Sequence, residues 1–129
     1  MTELSEAARA LFDEKTFATA ATIQPDGQPQ LSVVWVKREG DDVVFSTKEG
    51  RRKHLNLVRD DRITLLAMPA GNPYAYVEVR GRATMTAEGG DELIDELSEK
   101  YTGRPYTGDA PGDVRLVVRV TAERIVEHL

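Results

Sequence analysis

The densest group of chemically useful side chains lies between Ser46 and His54, in the order Ser-Thr-Lys-Glu-Gly-Arg-Arg-Lys-His. From Lys48 to Lys53 the net charge is +4 − 1 = +3, whereas the whole chain carries 17 − 22 = −5. An anionic phosphate is bound by hydroxyls, cations and the free N–H groups at the start of a helix. The segment therefore predicts a phosphate site, with a solvated charge run as the alternative.

Two cations of this segment, Arg51 and Lys53, are two positions apart and are therefore expected on different faces of a helix. One of them would bind a phosphate and the other a second anionic group. Three consecutive cations at the start of a helix oppose the helix dipole unless an anion is bound there. This electrostatic cost favours the binding site over the solvated charge run.

A second candidate is the segment from Gln28 to Val36, which places bare strand backbone beside Trp35. Such an edge can hold a flat heterocycle, but a single tryptophan is also a common core or interface anchor. Tyr74 and Tyr76 are expected on one face of a strand, either as ligand contacts or as a pair in a barrel wall. The loop over 100–106 has the composition of either a substrate lid or a plain connection.

The composition limits the possible functions. With 129 residues, 40% hydrophobic and 30% charged, the chain is expected to fold as one globular domain over 1–129. Its acidic balance disfavours nucleic-acid binding, and the lack of cysteine excludes disulfide scaffolds and thiol catalysis. No His and carboxylate cluster has metal-ligand spacing, so no metal site is expected. No membrane segment or signal peptide is recognised, which predicts a cytoplasmic protein.

The elements that would position these residues are short strands and helices. Strands are predicted at 17–23, 31–37, 43–47, 63–68, 74–86 and 114–121, with a seventh over 123–127. Helices are predicted over 4–15 and 51–59, and a third opens near Gly89 with Asp91 as its N-cap. Gly81 predicts a bend or bulge inside its strand.

This count of six to seven strands and about three helices indicates a mainly β fold. The helices do not alternate with the strands, which disfavours a doubly wound parallel sheet. Short turns at Gln24–Gly27 and Arg38–Asp42 make the first three strands antiparallel neighbours. An antiparallel barrel fits best, because closure removes exposed strand edges.

Six segments, taken in order, resemble the split β-barrel flavin and deazaflavin oxidoreductases, the superfamily of pyridoxamine 5′-phosphate oxidase. Within it, the chain is most similar to the small actinobacterial branch that uses the deazaflavin coenzyme F420. The resemblance covers nearly the whole chain, from Phe17 to Val126. The matching segments are 21–30, 34–36, 45–47, 50–57, 74–81 and 100–103.

The resemblance implies a split β-barrel, formed as a homodimer with two cofactor sites at the interface. Arg51 and Lys53 match the pair that grips the cofactor phosphate. The ring system would lie against one strand, partly through its backbone groups. The residues that match this strand's ring contacts are Ser32, Val34, Trp35 and Val36.

Four further positions carry implied contacts. Ser46 and Thr47 match a second strand that touches the ring and the ribityl chain. Gln30 matches a polar neighbour of the ring, and Tyr74 matches an aromatic residue that reaches across from the other subunit. No catalytic side chain is implied, because the cofactor carries the chemistry.

The implied reaction is hydride transfer from reduced F420 to a small electron-poor organic acceptor, such as an enone, a quinone or a tetrapyrrole-like compound. The alternative is an FMN-binding oxidase, reductase or flavin-binding protein of the same fold. Vitamin B6 oxidation is not expected, because the C-terminal third lacks the substrate-phosphate residues of the true oxidases. A non-catalytic barrel that binds nucleic acid or a protein is disfavoured by the net charge of −5 and the 6% aromatic content.

Overall fold

Six strands form the wall of the molecule, and the computed structural model describes residues 1–129. The strands close into a barrel in the order β1-β2-β3-β6-β5-β4, with antiparallel neighbours throughout. The predicted antiparallel split barrel is confirmed, and the expected seventh strand is the continuation of β6. The strands are β1 (Phe17–Ile23), β2 (Pro29–Glu39), β3 (Asp42–Lys48), β4 (Arg62–Ala67), β5 (Tyr76–Thr86) and β6 (Arg115–His128).

Three helices accompany the barrel: α1 (Glu6–Asp13), α2 (Arg52–Arg59) and α3 (Gly90–Thr102). The predicted N-cap of α3, Asp91, is wrong, because the N-cap is Gly89, two residues earlier, with φ +80°. Glycine is required at Gly90, since a Cβ there would overlap the backbone carbonyl of Arg115. None of the three helices has the length and hydrophobicity that crossing a bilayer requires.

The core fills the barrel and is completed by two of the helices. Inward-facing residues of the strands alternate with outward-facing ones, as the burial of every second residue in β1 illustrates. Phe12 from α1 and Leu57 from α2 join this core. Helix α3 packs on the outside of the barrel, where Leu93 and Leu97 contact Val44. This arrangement places the end of α3 beside the outer face of β2.

The predicted irregularity at Gly81 is confirmed. The pairing of β5 with β6 shifts register between Arg80 and Gly81. A Cβ at Gly81 would overlap the backbone carbonyl of Thr121 on β6, so the two strands approach closely only because this residue is glycine.

The barrel wall is incomplete between β2 and β3. The two strands pair only from Val36 opposite Phe45 to Glu39 opposite Asp42. Residues 29–35 of β2 pair with β1 alone, whereas 46–48 of β3 pair with β6 alone. The result is a split in the wall.

Candidate functional site

A cavity of about 190 Å³ opens at the split between β2 and β3, and it is called the split pocket below. Its walls come from β2, β3, the start of α2, helix α3 and the segment that leads into β6. The lining residues are Val33, Val34, Trp35, Ser46, Arg51, Lys53, Ile94, Leu97, Tyr106 and Arg115. Five of the ten residues singled out from the sequence therefore line one cavity: Val34, Trp35, Ser46, Arg51 and Lys53.

Arg51 and Lys53 converge on this pocket, and the expectation that they point to different faces of a helix is wrong. Arg51 is the N-cap residue of α2, with extended backbone (φ −67°, ψ 159°), so helical spacing does not apply to it. No side chain caps the N–H groups at this end of α2. Both cations and the free helix start thus lie at one side of the split pocket.

The ammonium group of Lys53 is half-buried and has no carboxylate partner. Its Nζ donates a hydrogen bond to Ser32 Oγ at 3.0 Å, which brings Ser32 to the edge of the site. Burial, and next the charge of Arg51, hold the pKa of Lys53 below its usual value. A bound anion would relieve both effects, so the local electrostatics suit a negatively charged ligand.

The opposite wall of the split pocket contains Arg115, whose role sequence reasoning missed. Its side chain is only 3% exposed, and its Nε and Nη2 donate to Asp109 at 2.8 to 3.1 Å. Nη2 also donates to Tyr106 Oη at 3.0 Å, and Nη1 lies 3.3 Å from Ser46 Oγ. The charge of the guanidinium is neutralised by Asp109 and most of its N–H groups are engaged, so Arg115 chiefly shapes the pocket wall.

Lys48 joins Arg115 in this charge cluster. Its Nζ lies 3.2 Å from Asp109 and 3.0 Å from Asp113. The hydrogen bond from Arg115, and next that from Lys48, lower the pKa of Asp109 against the opposing effect of burial. Two cations and two carboxylates therefore neutralise one another and fix the segment before β6 to the barrel.

The aromatic side of the site is held by α3. The Tyr101 ring stacks on Trp35 with centroids 5.4 Å apart and planes inclined by 8°. Tyr101 Oη accepts from the Val36 N–H at 3.1 Å and donates to the Thr16 carbonyl at 2.5 Å. Lys100 Nζ donates to the carbonyl of Val36 at 2.7 Å. These bonds fix the orientation of Trp35.

The same bonds reveal which way the backbone of β2 faces. The Val36 N–H meets Tyr101 Oη beside Thr16, at the β1 side of the strand. In antiparallel strands this direction alternates, so the N–H and C=O groups of Trp35 and Val33 face the split. Since β3 does not pair there, the split pocket has free backbone donors and acceptors along one edge.

Gln30 lies outside the split-pocket lining, in a polar network that connects β2 to α2. Asn56 Nδ2 donates to Thr22 Oγ1 at 3.0 Å, and Thr22 Oγ1 donates to Gln30 Oε1 at 2.8 Å. Because Nδ2 can only donate, the hydroxyl proton of Thr22 points to Gln30. The Gln30 Nε2 group donates to the Leu31 carbonyl at 3.3 Å, so one of its two N–H donors is left for a ligand.

Three other residues singled out from the sequence do not line the split pocket. Thr47 is fully buried among the inward-facing residues of β3, and its Oγ1 has no hydrogen-bond partner. Val36 is fully buried in the barrel core. Tyr74 precedes β5 instead of sharing a strand face with Tyr76, and it is 88% exposed. The single chain therefore brings none of the three to the cavity.

A comparison with protein families gives one match, described as Pyridoxamine 5'-phosphate oxidase and covering residues 4–128. The chain belongs to this family. Membership supports an oxidoreductase that uses a flavin or deazaflavin cofactor on this barrel. The split pocket fits such a group, since it offers unneutralised cations for a phosphate and a free strand edge with apolar walls for a ring.

Solved structures of family-like barrels agree with the fold. A protein named F420 Reductase is 24% identical, with a TM-score of 0.84 over 97% of this chain and 100% of its own. A conserved hypothetical protein from Mycobacterium tuberculosis is 30% identical, with a TM-score of 0.77 over 95% of this chain and 82% of its own.

A putative pyridoxamine 5'-phosphate oxidase from Listeria innocua is 16% identical, with a TM-score of 0.72 over 92% of each chain. The comparison with curated proteins gave no match. Two of these three likenesses fall below 25% identity and therefore speak for the fold alone.

Proposed function

We propose that this protein binds the deazaflavin coenzyme F420 in the split pocket and transfers a hydride from it to a small electron-poor organic acceptor. The observation that carries the proposal is the pair of unneutralised cations, Arg51 and Lys53, beside an unpaired strand edge. Each part has a chemical counterpart in a phosphate-bearing cofactor with a flat heterocyclic ring. The 24% identical F420 Reductase, which shares the fold along its full length, supports the choice of cofactor.

The residues of this chain would bind the cofactor, orient its ring and shield the ring from water. Arg51 and Lys53 would hold the phosphate, and the free backbone groups of Val33 and Trp35 would hydrogen-bond the polar edge of the ring. Ile94 from α3 would exclude water from the ring face. When bound, the reduced cofactor supplies the hydride, and solvent supplies the proton that completes the reduction. No side chain acts as a nucleophile.

FMN is the second candidate cofactor. The family is named for an oxidase, and two converging cations suit a terminal phosphate. The phosphodiester and oligoglutamate tail of F420 need a basic exit in addition. Arg52 is exposed beside Arg51 and could serve there, whereas Lys48 is neutralised by Asp109 and Asp113. One cation is therefore free for the F420 tail and the other is not, so both cofactors stay candidates. A comparison of their affinities decides between them.

A homodimer is part of the proposal. Strand β1 carries no charged residue, and β2 carries none before Lys37. The outward-facing residues of the paired strands β1 and β2 form one face of the barrel. On this β1–β2 face Phe17 is 60% exposed and Val33 is 67% exposed. A second copy is the occupant that fits, because Val33 also lines the split pocket, so a partner seated there would complete its wall. Exposed Tyr74 would then reach the partner's site.

The test of the cofactor assignment is a side-by-side fluorescence titration of cofactor-free protein with F420 and with FMN. Tight F420 binding with weak FMN binding supports the proposal. The reverse result replaces it with the FMN alternative. Binding of neither compound overturns both and leaves the cations around Arg51 as a solvated surface.

The test of the dimer is sedimentation equilibrium on Val33→Asp and on a matched control, Val58→Asp. The two valines are similarly exposed, at 67% and 68%, but Val58 belongs to α2 and not to the β1–β2 face. We expect the wild type and the α2 variant to sediment as dimers and Val33→Asp as a monomer. A monomeric wild type would refute the dimer.

A further inference from the structure

A second, larger cavity of about 610 Å³ adjoins the split pocket, and it is called the loop pocket below. The two cavities share Trp35 and Tyr106 as lining residues, so they are neighbours. The loop pocket is formed by the end of α3 and the segment after it. Its lining residues are Trp35, Ser98, Thr102, Arg104, Pro105, Tyr106, Thr107 and Gly108.

The walls of the loop pocket are set by bonds within the chain. Trp35 is fixed by the stacked Tyr101 ring. Thr102 Oγ1 donates to the Ser98 carbonyl at 2.8 Å and accepts from the Arg104 N–H at 3.2 Å. The Tyr106 N–H donates to Asp95 Oδ1 at 3.1 Å. The cavity is therefore preorganised, which lowers the entropic cost of binding a ligand.

The charge of the loop pocket is opposite to that of the chain. None of its eight lining residues is acidic, although 22 of the 129 residues are Asp or Glu. By contrast, the 280 Å³ groove at the other end of α3 is lined by four glutamates. Arg104 is exposed, and its guanidinium forms no hydrogen bond or ion pair with the chain. The pocket thus presents one free planar cation beside Trp35.

We propose that the loop pocket binds the hydride acceptor, and that this acceptor is a planar molecule that carries a carboxylate recognised by Arg104. This rests on the proposed function, since an acceptor is needed only if a cofactor is bound next door. The guanidinium fork matches a carboxylate in two parallel hydrogen bonds. Trp35 and Tyr106 offer apolar ring surface for the planar part, and because both residues line both cavities, the planar part would lie next to the split pocket.

The first test measures binding without any cofactor. Trp35 is the chain's only tryptophan and lines the pocket, so its fluorescence reports directly on occupancy. The probes are 2-naphthoate and the neutral, equally planar 2-naphthamide. We expect saturable quenching by the carboxylate, at least about tenfold tighter than by the amide. In Arg104→Met this preference should vanish, whereas the control Arg124→Met, at an exposed cation on β6, should keep it.

The second test uses the loaded enzyme with a quinone that carries a carboxylate side chain and with its methyl ester. We expect Arg104→Met to raise KM for the carboxylate about tenfold while KM for the ester and both kcat values stay within about twofold. Arg104→Lys should give an intermediate KM, because it keeps the charge and loses the fork. Equal effects on both quinones would overturn the proposal.

The two tests separate this proposal from the proposed function. If 2-naphthoate binds with the expected preference but neither F420 nor FMN binds, the cofactor assignment fails and the loop pocket remains an anion site. If a cofactor binds but the carboxylate preference is absent, the proposed acceptor site is refuted and the cofactor assignment stands.

Discussion

Two pairs of cations at the split pocket differ in whether carboxylates of the chain neutralise them. Three of the four cations line the pocket, and the fourth, Lys48, shares Asp109 with Arg115. Lys48 and Arg115 are neutralised by Asp109 and Asp113 at 2.8 to 3.2 Å. Lys53, paired in the site with Arg51, has only the hydroxyl of Ser32 as a partner. Burial, followed by the charge of Arg51, lowers the pKa of Lys53. The hydrogen bond that Lys48 donates to Asp113, followed by the one it donates to Asp109, raises the pKa of Lys48.

This difference separates a structural cation from a binding cation. A charge that the fold has already neutralised contributes to stability and offers little to a ligand. A half-buried charge without a partner lowers the stability of the free protein, and a bound anion offsets this cost. The comparison predicts that the first pair controls folding and the second controls ligand affinity.

The largest expected effect is on folding and comes from Arg115→Met. The change leaves Asp109 and the hydroxyl of Tyr106 without their guanidinium partner in a partly buried site. We expect the free energy of unfolding in urea to fall by about 3 kcal/mol. Lys53→Met is the matched control, and it should lose almost nothing. Equal losses of unfolding free energy in the two variants would contradict the distinction between structural and binding cations.

The second effect is on affinity and comes from Arg51→Ala combined with Lys53→Ala. Loss of two charged hydrogen-bond donors should weaken binding of the phosphate-bearing cofactor about 100-fold, measured by fluorescence titration. The free energy of unfolding should stay unchanged, because neither cation has a carboxylate partner. Arg124→Ala, at an exposed cation on β6, serves as the control for a nonspecific effect of charge. Unchanged affinity in the double variant would remove these two residues from the site.

The third effect is a pH dependence of affinity. The folded pKa of Lys53 is below its usual value, so the free protein gives up this proton earlier than an exposed lysine would. A phosphate ligand favours the protonated form, and binding therefore takes up a proton above the lowered pKa. Affinity should be greatest below that pKa and fall by up to about tenfold per pH unit above it.

The control for this pH dependence is Lys53→Arg. Arginine stays charged over the accessible range, so the variant should bind with little change in affinity as pH rises. A slope that persists in this variant would assign the titration to another group.

The smallest effect is expected from Ser46→Ala. Ser46 lies between the two pairs, since it lines the split pocket and its Oγ is 3.3 Å from Arg115 Nη1. That bond is long, so its loss should lower the free energy of unfolding by less than about 1 kcal/mol. Cofactor affinity should change by less than about tenfold. A larger loss of affinity would make this hydroxyl a principal ligand contact.

Local pattern was enough to predict most of the fold. Alternating apolar residues and glycine turns fixed the six strands within two residues at most ends, because strand period and turn chemistry are local properties. The bulge at Gly81 was also visible as an isolated glycine in a strand. The prediction of a separate strand over 123–127 was wrong, because β6 continues through Glu123, an extra residue opposite the step from Arg80 to Gly81.

The site was predictable only where it is local in sequence. Arg51 and Lys53 stand close together, so their charge was visible, although their convergence depends on the extended backbone of Arg51. Arg115 alternates with Leu116, a pattern that does not reveal whether another segment covers its side chain. Its burial comes from Tyr106 and Asp109, which fold over it from the preceding loop, and only the opposite charge of Asp109 hinted at this contact.

The unpaired edge of β2 has a consequence for the handling of the protein. A free strand edge with exposed apolar side chains, here Leu31 and Val33, is a template to which a strand of another molecule can add. A ligand that satisfies the backbone groups of Val33 and Trp35 removes that template. Occupancy of the pocket and resistance to aggregation are therefore linked, so the opening that admits the ligand is also a point of colloidal weakness in the empty protein.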